Sequence, residues 1–178
     1  MTASASTSRQ GAGGDPFERL ARRCLDAARA AGVVVATAES LTAGLVSARL
    51  ATVAGASEVL RGGVVAYAPA VKVDVLGVAQ EMLDEHGPVH VDVALAMADG
   101  ARRLLGADVA VATTGVAGPG PADGHPAGTL VVAVTGVERP LVRVLHLDGD
   151  RSQVRAGAAA AALGLLAAAL GAPQEAGA

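Results

Sequence analysis

A chain of 178 residues that is 52% hydrophobic is long enough for one domain with a substantial core, and alanine, valine, leucine and glycine supply nearly all of it. One Tyr, one Phe and no Trp leave no aromatic platform for stacking bases, and a formal net charge of −3 brings no basic excess for phosphate backbones, which disfavours nucleic-acid binding. The lone Cys24 cannot close an internal disulfide, and residues 1–14 lack the apolar core of a signal peptide, so a reducing cytoplasm is the expected compartment.

The Ser/Gly/Ala-rich stretch 1–14 reads as a disordered tail. Asp15-Pro16-Phe17-Glu18 then supplies an N-cap, a proline at the first helical position and a glutamate at the third, predicting a helix up to Gly32 that buries Leu20, Cys24 and Ala27. The β-branched run 33–37 suits a central strand, and a helix is expected over 42–51. A second strand over 63–66 ends at Tyr67, and Pro69 opens a short helix that carries Lys72 and stops at Gly77. Helices over 80–86 and 91–105 precede strands over 109–113, 130–135 and 142–147, the last two joined around Gly136 and Pro140. Asp150 and Gln153 form a capping signal for a last, alanine-rich helix, and residues 172–178 read as a flexible tail. The uncharged segment 156–172 falls short of the ~20 strongly apolar residues that span a bilayer, so it is expected in the core or against another subunit of a homo-oligomer, not in a membrane. The alternation predicts a single-domain α/β/α sandwich with a mixed or largely parallel sheet over 15–171, without repeat or linker.

In such folds the chemistry collects in loops after the carboxyl ends of strands. The first strand runs into Thr37-Ala38-Glu39-Ser40-Leu41-Thr42-Ala43-Gly44. Ser40 has two readings there: a nucleophile served by the N–H groups that a helix start leaves unpaired, or, like Thr42, the N-cap of the next helix. Glu39 is either a general base or a partner for amides and hydroxyls at the turn. The second strand delivers Tyr67 and the chain's only lysine, Lys72; the other thirteen of its 14 Lys and Arg residues are arginine. Arginine stays charged at any ordinary pH, whereas a desolvated lysine amine can lose its proton and act as a base; the alternative is a solvated surface lysine. The third strand opens Thr113-Thr114-Gly115-Val116-Ala117-Gly118-Pro119-Gly120, whose small residues let backbone amides approach an anion such as a phosphate. A Tyr-x-x-x-Lys dehydrogenase pair requires a shorter spacing than the five residues from Tyr67 to Lys72, and neither a dinucleotide-binding glycine run nor a Walker loop is present. His86 and His90 have zinc-like spacing, but Gly87-Pro88 breaks the helix that would place both on one face, so no metal site is expected.

Taken in order, Thr37-Ala38-Glu39-Ser40, Gly62-Gly63-Val64-Val65-Ala66-Tyr67 with Lys72 and Leu76-Gly77-Val78, Thr114-Gly115-Val116-Ala117-Gly118-Pro119, Gly128-Thr129 and Gly149-Asp150-Arg151 resemble the CinA C-terminal domain family, the nicotinamide-nucleotide amidohydrolases. The likeness runs from about residue 33 to 170 and is to the stand-alone deamidases, which lack the additional N-terminal domain of longer relatives. It implies hydrolysis of the carboxamide of nicotinamide mononucleotide to nicotinate mononucleotide and ammonia, with no metal or redox cofactor. It also implies Ser40 as nucleophile with Tyr67 and Lys72 around it, and Glu39, Thr42, Gly44, Thr114, Gly115, Gly118 and Arg151 as substrate-binding residues. Three places depart from the family pattern: Ala43 where a second glycine is common, Ala68-Pro69-Ala70 where Ser-Asn-Glu is frequent, and His90 where serine is frequent.

Such a reaction makes definite demands. An amide is a poor electrophile with a poor leaving group, so a serine needs a base, for which Lys72 is suited, and a proton path to ammonia, for which Tyr67 is suited. A free lysine has a pKa of ~10.4, which burial and a neighbouring Arg151 are expected to lower. Arg151 at the start of the last helix joins a guanidinium to a helix N-terminus, a seat for the substrate phosphate; a solvated arginine is the plain alternative. The competing functional reading is a nucleotide-binding module of the same family that has lost turnover and serves in interactions.

Overall fold

The computed structural model describes residues 15–173, so the expected N-terminal tail and residues 174–178 of the expected C-terminal tail lie outside the described residues. Helix α1 (Pro16–Ala31) starts as the sequence indicates, with the Asp15 carboxylate accepting from Phe17 N, and ends at Gly32 in the left-handed region, φ 66°. Its buried stripe is Ala21, Cys24, Leu25 and Ala28, not Leu20, Cys24 and Ala27. Leu20 and Ala27 flank that stripe and are half-buried, because helical neighbours at i+3 and i+4 define the face.

Strand β1 (Val35–Glu39) begins two residues later than the run 33–37 suggests. Val33 N bonds the Ala28 carbonyl to close α1, and Val34 N bonds the Asp108 carboxylate, so both residues belong to the connection. The shift brings Glu39 into the sheet, 1% exposed. Helix α2 (Leu45–Ala51) likewise starts at Leu45 instead of Thr42, because 40–44 form a tight turn with Ala43 and Gly44 at φ 50° and 92°. Neither Ser40 nor Thr42 is its N-cap; Gly44 is, and it suits the left-handed φ.

A single 3-10 turn (Ala56–Glu58) leads into β2 (Leu60–Val65), then α3 (Pro69–Asp74), α4 (Gln80–His86) and α5 (Val91–Leu105). The chain continues through β3 (Val109–Gly115), β4 (Thr129–Thr135), β5 (Leu141–His146) and α6 (Arg151–Ala169). The sheet order is β2-β1-β3-β4-β5, with β1 parallel to β2 and β3, and β4 antiparallel to β3 and β5. The fold is therefore an α/β/α sandwich around one mixed sheet.

Strand alternation divides the core. Val35, Val109, Val111, Val132 and Val134 pack with α1, α2 and α6 on one face, while Ala36, Ala38, Ala110 and Ala112 meet α5, Leu76 and Leu83 on the other. Helix α5 also packs tightly against the segment after α3: a Cβ added at Gly100 would run into the Leu76 carbonyl. Helix α6 has 19 residues and is long and apolar enough by length and composition to cross a membrane, so shortness does not explain its place. Burial does: Val154, Ala158, Ala162, Leu163 and Leu166 are all in the core.

Two consequences of the topology position the site. The three parallel strands end together, bringing the turns after Glu39, Val65 and Gly115 to one edge. Because Thr129 pairs with His146 across the antiparallel β4 and β5, the chain leaves β5 at that same edge and begins α6 there, at Arg151.

Candidate active site

At that edge lies a cavity of about 280 Å³. Ser40, Tyr67, Lys72, Thr114, Gly115, Gly118 and Arg151 line it, so seven of the ten residues expected from sequence meet in one place. Pro88, Val89 and Asp123 complete parts of its wall. Glu39, Thr42 and Gly44, expected at the substrate, are not in the lining; they hold the Ser40 turn from behind.

Glu39 does this with its carboxylate. Oε2 accepts from the amides of Gly44 (2.9 Å) and Val46 (3.0 Å), and Oε1 from the Ser47 amide (2.8 Å), the Ser47 hydroxyl (2.7 Å) and Thr37 Oγ1 (3.1 Å). A buried carboxylate is tolerable only when its lone pairs are satisfied, and this one satisfies the orphan N–H groups at the start of α2 in return. Gly63, paired with Thr37 on β2, makes room, since a Cβ there would collide with the Thr37 and Ser47 hydroxyls. With its oxygens so engaged, Glu39 fits the reading of a partner at the turn and not that of a free base.

The other side of the turn is held from α6. Arg155 donates from Nε to the Leu41 carbonyl (3.0 Å) and from Nη2 to the Thr42 carbonyl (2.9 Å), while the Thr42 and Thr113 hydroxyls bond at 2.8 Å. Between these clamps the Ser40 hydroxyl lines the cavity and makes no hydrogen bond among the described residues. The Leu41 and Thr42 amides likewise donate to no acceptor among the described residues.

Lys72 is 1% exposed, the largest fully buried side chain among the described residues. Its Nζ lies 3.4 Å from Thr114 Oγ1 and 3.4 Å from Met97 Sδ, with no carboxylate in ion-pair range among the described residues. The Thr114 hydroxyl donates to the Pro88 carbonyl (2.6 Å), which turns its lone pairs toward the amine. Burial pushes the Lys72 pKa down from 10.5 to about 8, and the charge of Asp123 opposes that fall. Arg151, expected to assist, is not among the causes. Burial also raises the Cys24 thiol to about 12, which makes it inert.

Arg151 bridges the cavity mouth instead. Nη1 donates to the Gly118 carbonyl (2.7 Å) and Nη2 to Tyr67 Oη (2.6 Å). The N-terminus of α6 does not add the expected anion seat: the Asp150 carboxylate already accepts from Ser152 N and Gln153 N, and Gln153 caps it in return. The amides of Ala117, Gly118 and Gly120 donate to no acceptor among the described residues, so the glycine-rich loop is the better source of anion-binding N–H groups.

Sequence reasoning missed Ser47, Arg155 and Asp123. Ser47 and Arg155 carried no local signal, because their partners are eight and 113–114 residues away in the chain. Asp123 sits in a Pro-Ala-Asp-Gly turn that reads as an ordinary connector, and only the fold brings it to the lysine. The histidine argument also needs correction: α4 does end at His86, yet the turn through Gly87 folds back and stacks the His90 ring on that of His86.

The profile described as CinA C-terminal domain matches residues 17–170. A CinA-like protein of Mycobacterium sp. (strain JLS) is 49% identical over 146 residues, 81% of this chain and 35% of that protein. One from Frankia casuarinae is 46% identical over 132 residues, 74% of this chain and 30% of that protein. The chain thus spans about a third of the length of these curated relatives. Among solved structures, a competence-damaged protein (CinA) superfamily protein from Klebsiella pneumoniae superposes with a TM-score of 0.83 at 34% identity, covering 88% of this chain and 99% of that one. The competence/damage inducible protein CihA from Agrobacterium tumefaciens gives 0.82 at 37% identity, with 87% and 95% covered.

The buried amine has a consequence for stability. In the unfolded chain Lys72 binds its proton up to about pH 10.5, in the folded chain only up to about 8, so between these values the unfolded state holds more protons and stability rises with pH. Below about pH 8 the full cost, about 3 kcal/mol, is present. Lys72→Met should therefore stabilise the fold by up to about 3 kcal/mol at pH 7 and lose that advantage by about pH 10.5, as read by urea denaturation. An advantage that does not change with pH would mean that protonation of the amine carries no such cost.

Proposed function

The chain belongs to the CinA C-terminal domain family, and we propose that it is an amidohydrolase that converts nicotinamide mononucleotide and water to nicotinate mononucleotide and ammonia. The observation that carries this reading is the juxtaposition in one cavity of the Ser40 hydroxyl and the buried Lys72 amine, which has no carboxylate in ion-pair range among the described residues and whose proton affinity burial lowers toward neutrality. That combination suits acyl transfer by an activated serine.

In this reading Ser40 Oγ attacks the carboxamide carbon as its proton passes to Lys72. The Leu41 and Thr42 amides suit the developing oxyanion, and the clamps from Glu39 and Arg155 hold them in place at no cost during the reaction. The lysine ammonium returns its proton to the departing nitrogen and ammonia leaves; a water deprotonated by Lys72 then attacks the serine ester, releasing nicotinate mononucleotide as Ser40 Oγ takes the proton back from Lys72. Tyr67, accepting from Arg151, keeps its own proton available to the substrate. Arg151 and the amides of Ala117, Gly118 and Gly120 suit the 5′-phosphate. No metal or redox cofactor enters these steps.

Ammonia release from nicotinamide mononucleotide tests the reading. Ser40→Ala should abolish it with fold and substrate affinity intact, and Lys72→Arg, which keeps the charge but cannot give up a proton, should lose at least ~10²-fold in turnover. Wild-type turnover should rise with pH through about 8, because the neutral amine is the active form. An active Lys72→Arg enzyme would refute the base assignment, and an active Ser40→Ala enzyme the covalent step. Binding without any ammonia from the wild type would favour the interaction module.

The assignment of Arg151 has its own check. Arg151→Ala should weaken binding of the mononucleotide at least ~10-fold more than binding of its phosphate-free riboside, since the two ligands differ only in the group that the guanidinium is assigned to hold. Equal losses in calorimetric titrations of both would assign the side chain to the Tyr67–Gly118 bridge alone.

A further inference from the structure

The turn between α4 and α5 gathers three side chains that the catalytic reading does not use. The His86 and His90 rings stack with centroids 4.2 Å apart and planes inclined by 18°. An Asp92 carboxylate oxygen lies 3.4 Å from His90 Nδ1 and 4.0 Å from His86 Nε2. One ligand atom from each of the three residues lies within 4.8 Å of the other two, and Glu85 Oε1 is 4.0 Å from His86 Nε2. Two imidazoles with a carboxylate are a donor set for zinc and similar borderline divalent ions, with a fourth position left to Glu85 or water.

We propose that His86, His90 and Asp92 form a binding site for a divalent transition-metal ion of the zinc type. Such ions hold nitrogen and oxygen ligands at about 2.0–2.2 Å, so the three groups must draw together. They are free to do so, with side chains 30%, 38% and 52% exposed. Near-parallel rings cannot both aim a lone pair at one ion, so binding requires one imidazole to swing out of the stack. For His90 this gives up only the long 3.3 Å bond that its Nδ1 accepts from Asp92 N.

The place of the site gives it a consequence. A metal bridging the end of α4 to the start of α5 would tie down Gly87, Pro88 and Val89. Pro88 and Val89 line the catalytic cavity, and the Pro88 carbonyl accepts from the Thr114 hydroxyl that contacts Lys72. Occupancy therefore stiffens the wall behind the lysine; an effect on turnover rests on the amidohydrolase reading, whereas binding of the metal does not.

The test is a calorimetric titration of the purified protein with Zn(II), repeated with Co(II) and read by visible absorption. Wild type should bind one equivalent. His90→Ser keeps a side chain suited to the N-cap of α5, and it and His86→Gln should each lose at least the roughly 10–100-fold in affinity that follows loss even of an outer-shell partner. His125→Gln and His146→Gln, at the other two histidines of the chain, should bind as wild type does. Absence of saturable binding up to millimolar metal, or affinity unchanged in both His90→Ser and His86→Gln, would overturn the proposal. Should metal-free His90→Ser melt below wild type, His86→Gln decides alone.

Discussion

The arrangement at the carboxyl edge of the sheet depends on one buried carboxylate. Glu39 accepts five hydrogen bonds, three from backbone amides and two from hydroxyls, and it is nearly inaccessible to water. Each bond has a structural purpose: the amides of Val46 and Ser47 would otherwise be orphaned at the start of α2, and the Gly44 amide fixes the left-handed end of the turn. Arg155 secures the carbonyls of the same turn. A serine presented on such a frame is pre-organised, which is what a site needs when its transition state must be met by fixed dipoles.

Strand geometry then links this frame to the lysine. Successive residues of a strand face opposite sides of the sheet, so Thr113 and Thr114 of β3 reach in opposite directions. Thr113 bonds Thr42 in the serine turn, and Thr114 meets Lys72 beneath α5. Two adjacent threonines thereby tie the Ser40 turn to the amine across a sheet. The amine lies against a methionine sulfur and a hydroxyl instead of a carboxylate, an arrangement that costs stability and lowers proton affinity together.

Much of this was legible in the sequence, for physical reasons that differ from element to element. Helices α4 and α5 have the predicted bounds because proline, glycine and capping residues punctuate them, and the capping box of α6 is likewise local. The start of β1 was misplaced because Val33 and Val34 look like strand residues yet are consumed by the end of α1 and by Asp108, a partner 74 residues away. The start of α2 was misplaced because its N-cap is Gly44, and its first amides are satisfied by the Glu39 side chain from the preceding strand, not by a local serine or threonine. At the site, Ser40, Tyr67, Lys72, Thr114 and Arg151 had recognisable chemistry, whereas Asp123, Arg155 and Ser47 act through a placement that only the folded chain creates. The histidine pair shows the converse: a correctly predicted helix end did not separate the two rings, since the turn that ends the helix also folds the chain back.

The account stands on a neutral-prone amine at Lys72, and the composition of the chain makes it directly observable. With one lysine in the sequence, ¹³C-labelled lysine yields a single side-chain Cε resonance whose pH titration belongs to that residue alone. The account predicts a midpoint at about 8 in the folded protein, moving toward 10.5 when the protein is unfolded in denaturant. A folded-state midpoint at the ordinary lysine value of ~10.4 would contradict it, because such an amine is neutral in fewer than about one molecule in a thousand at pH 7, against about one in ten at a pKa of about 8.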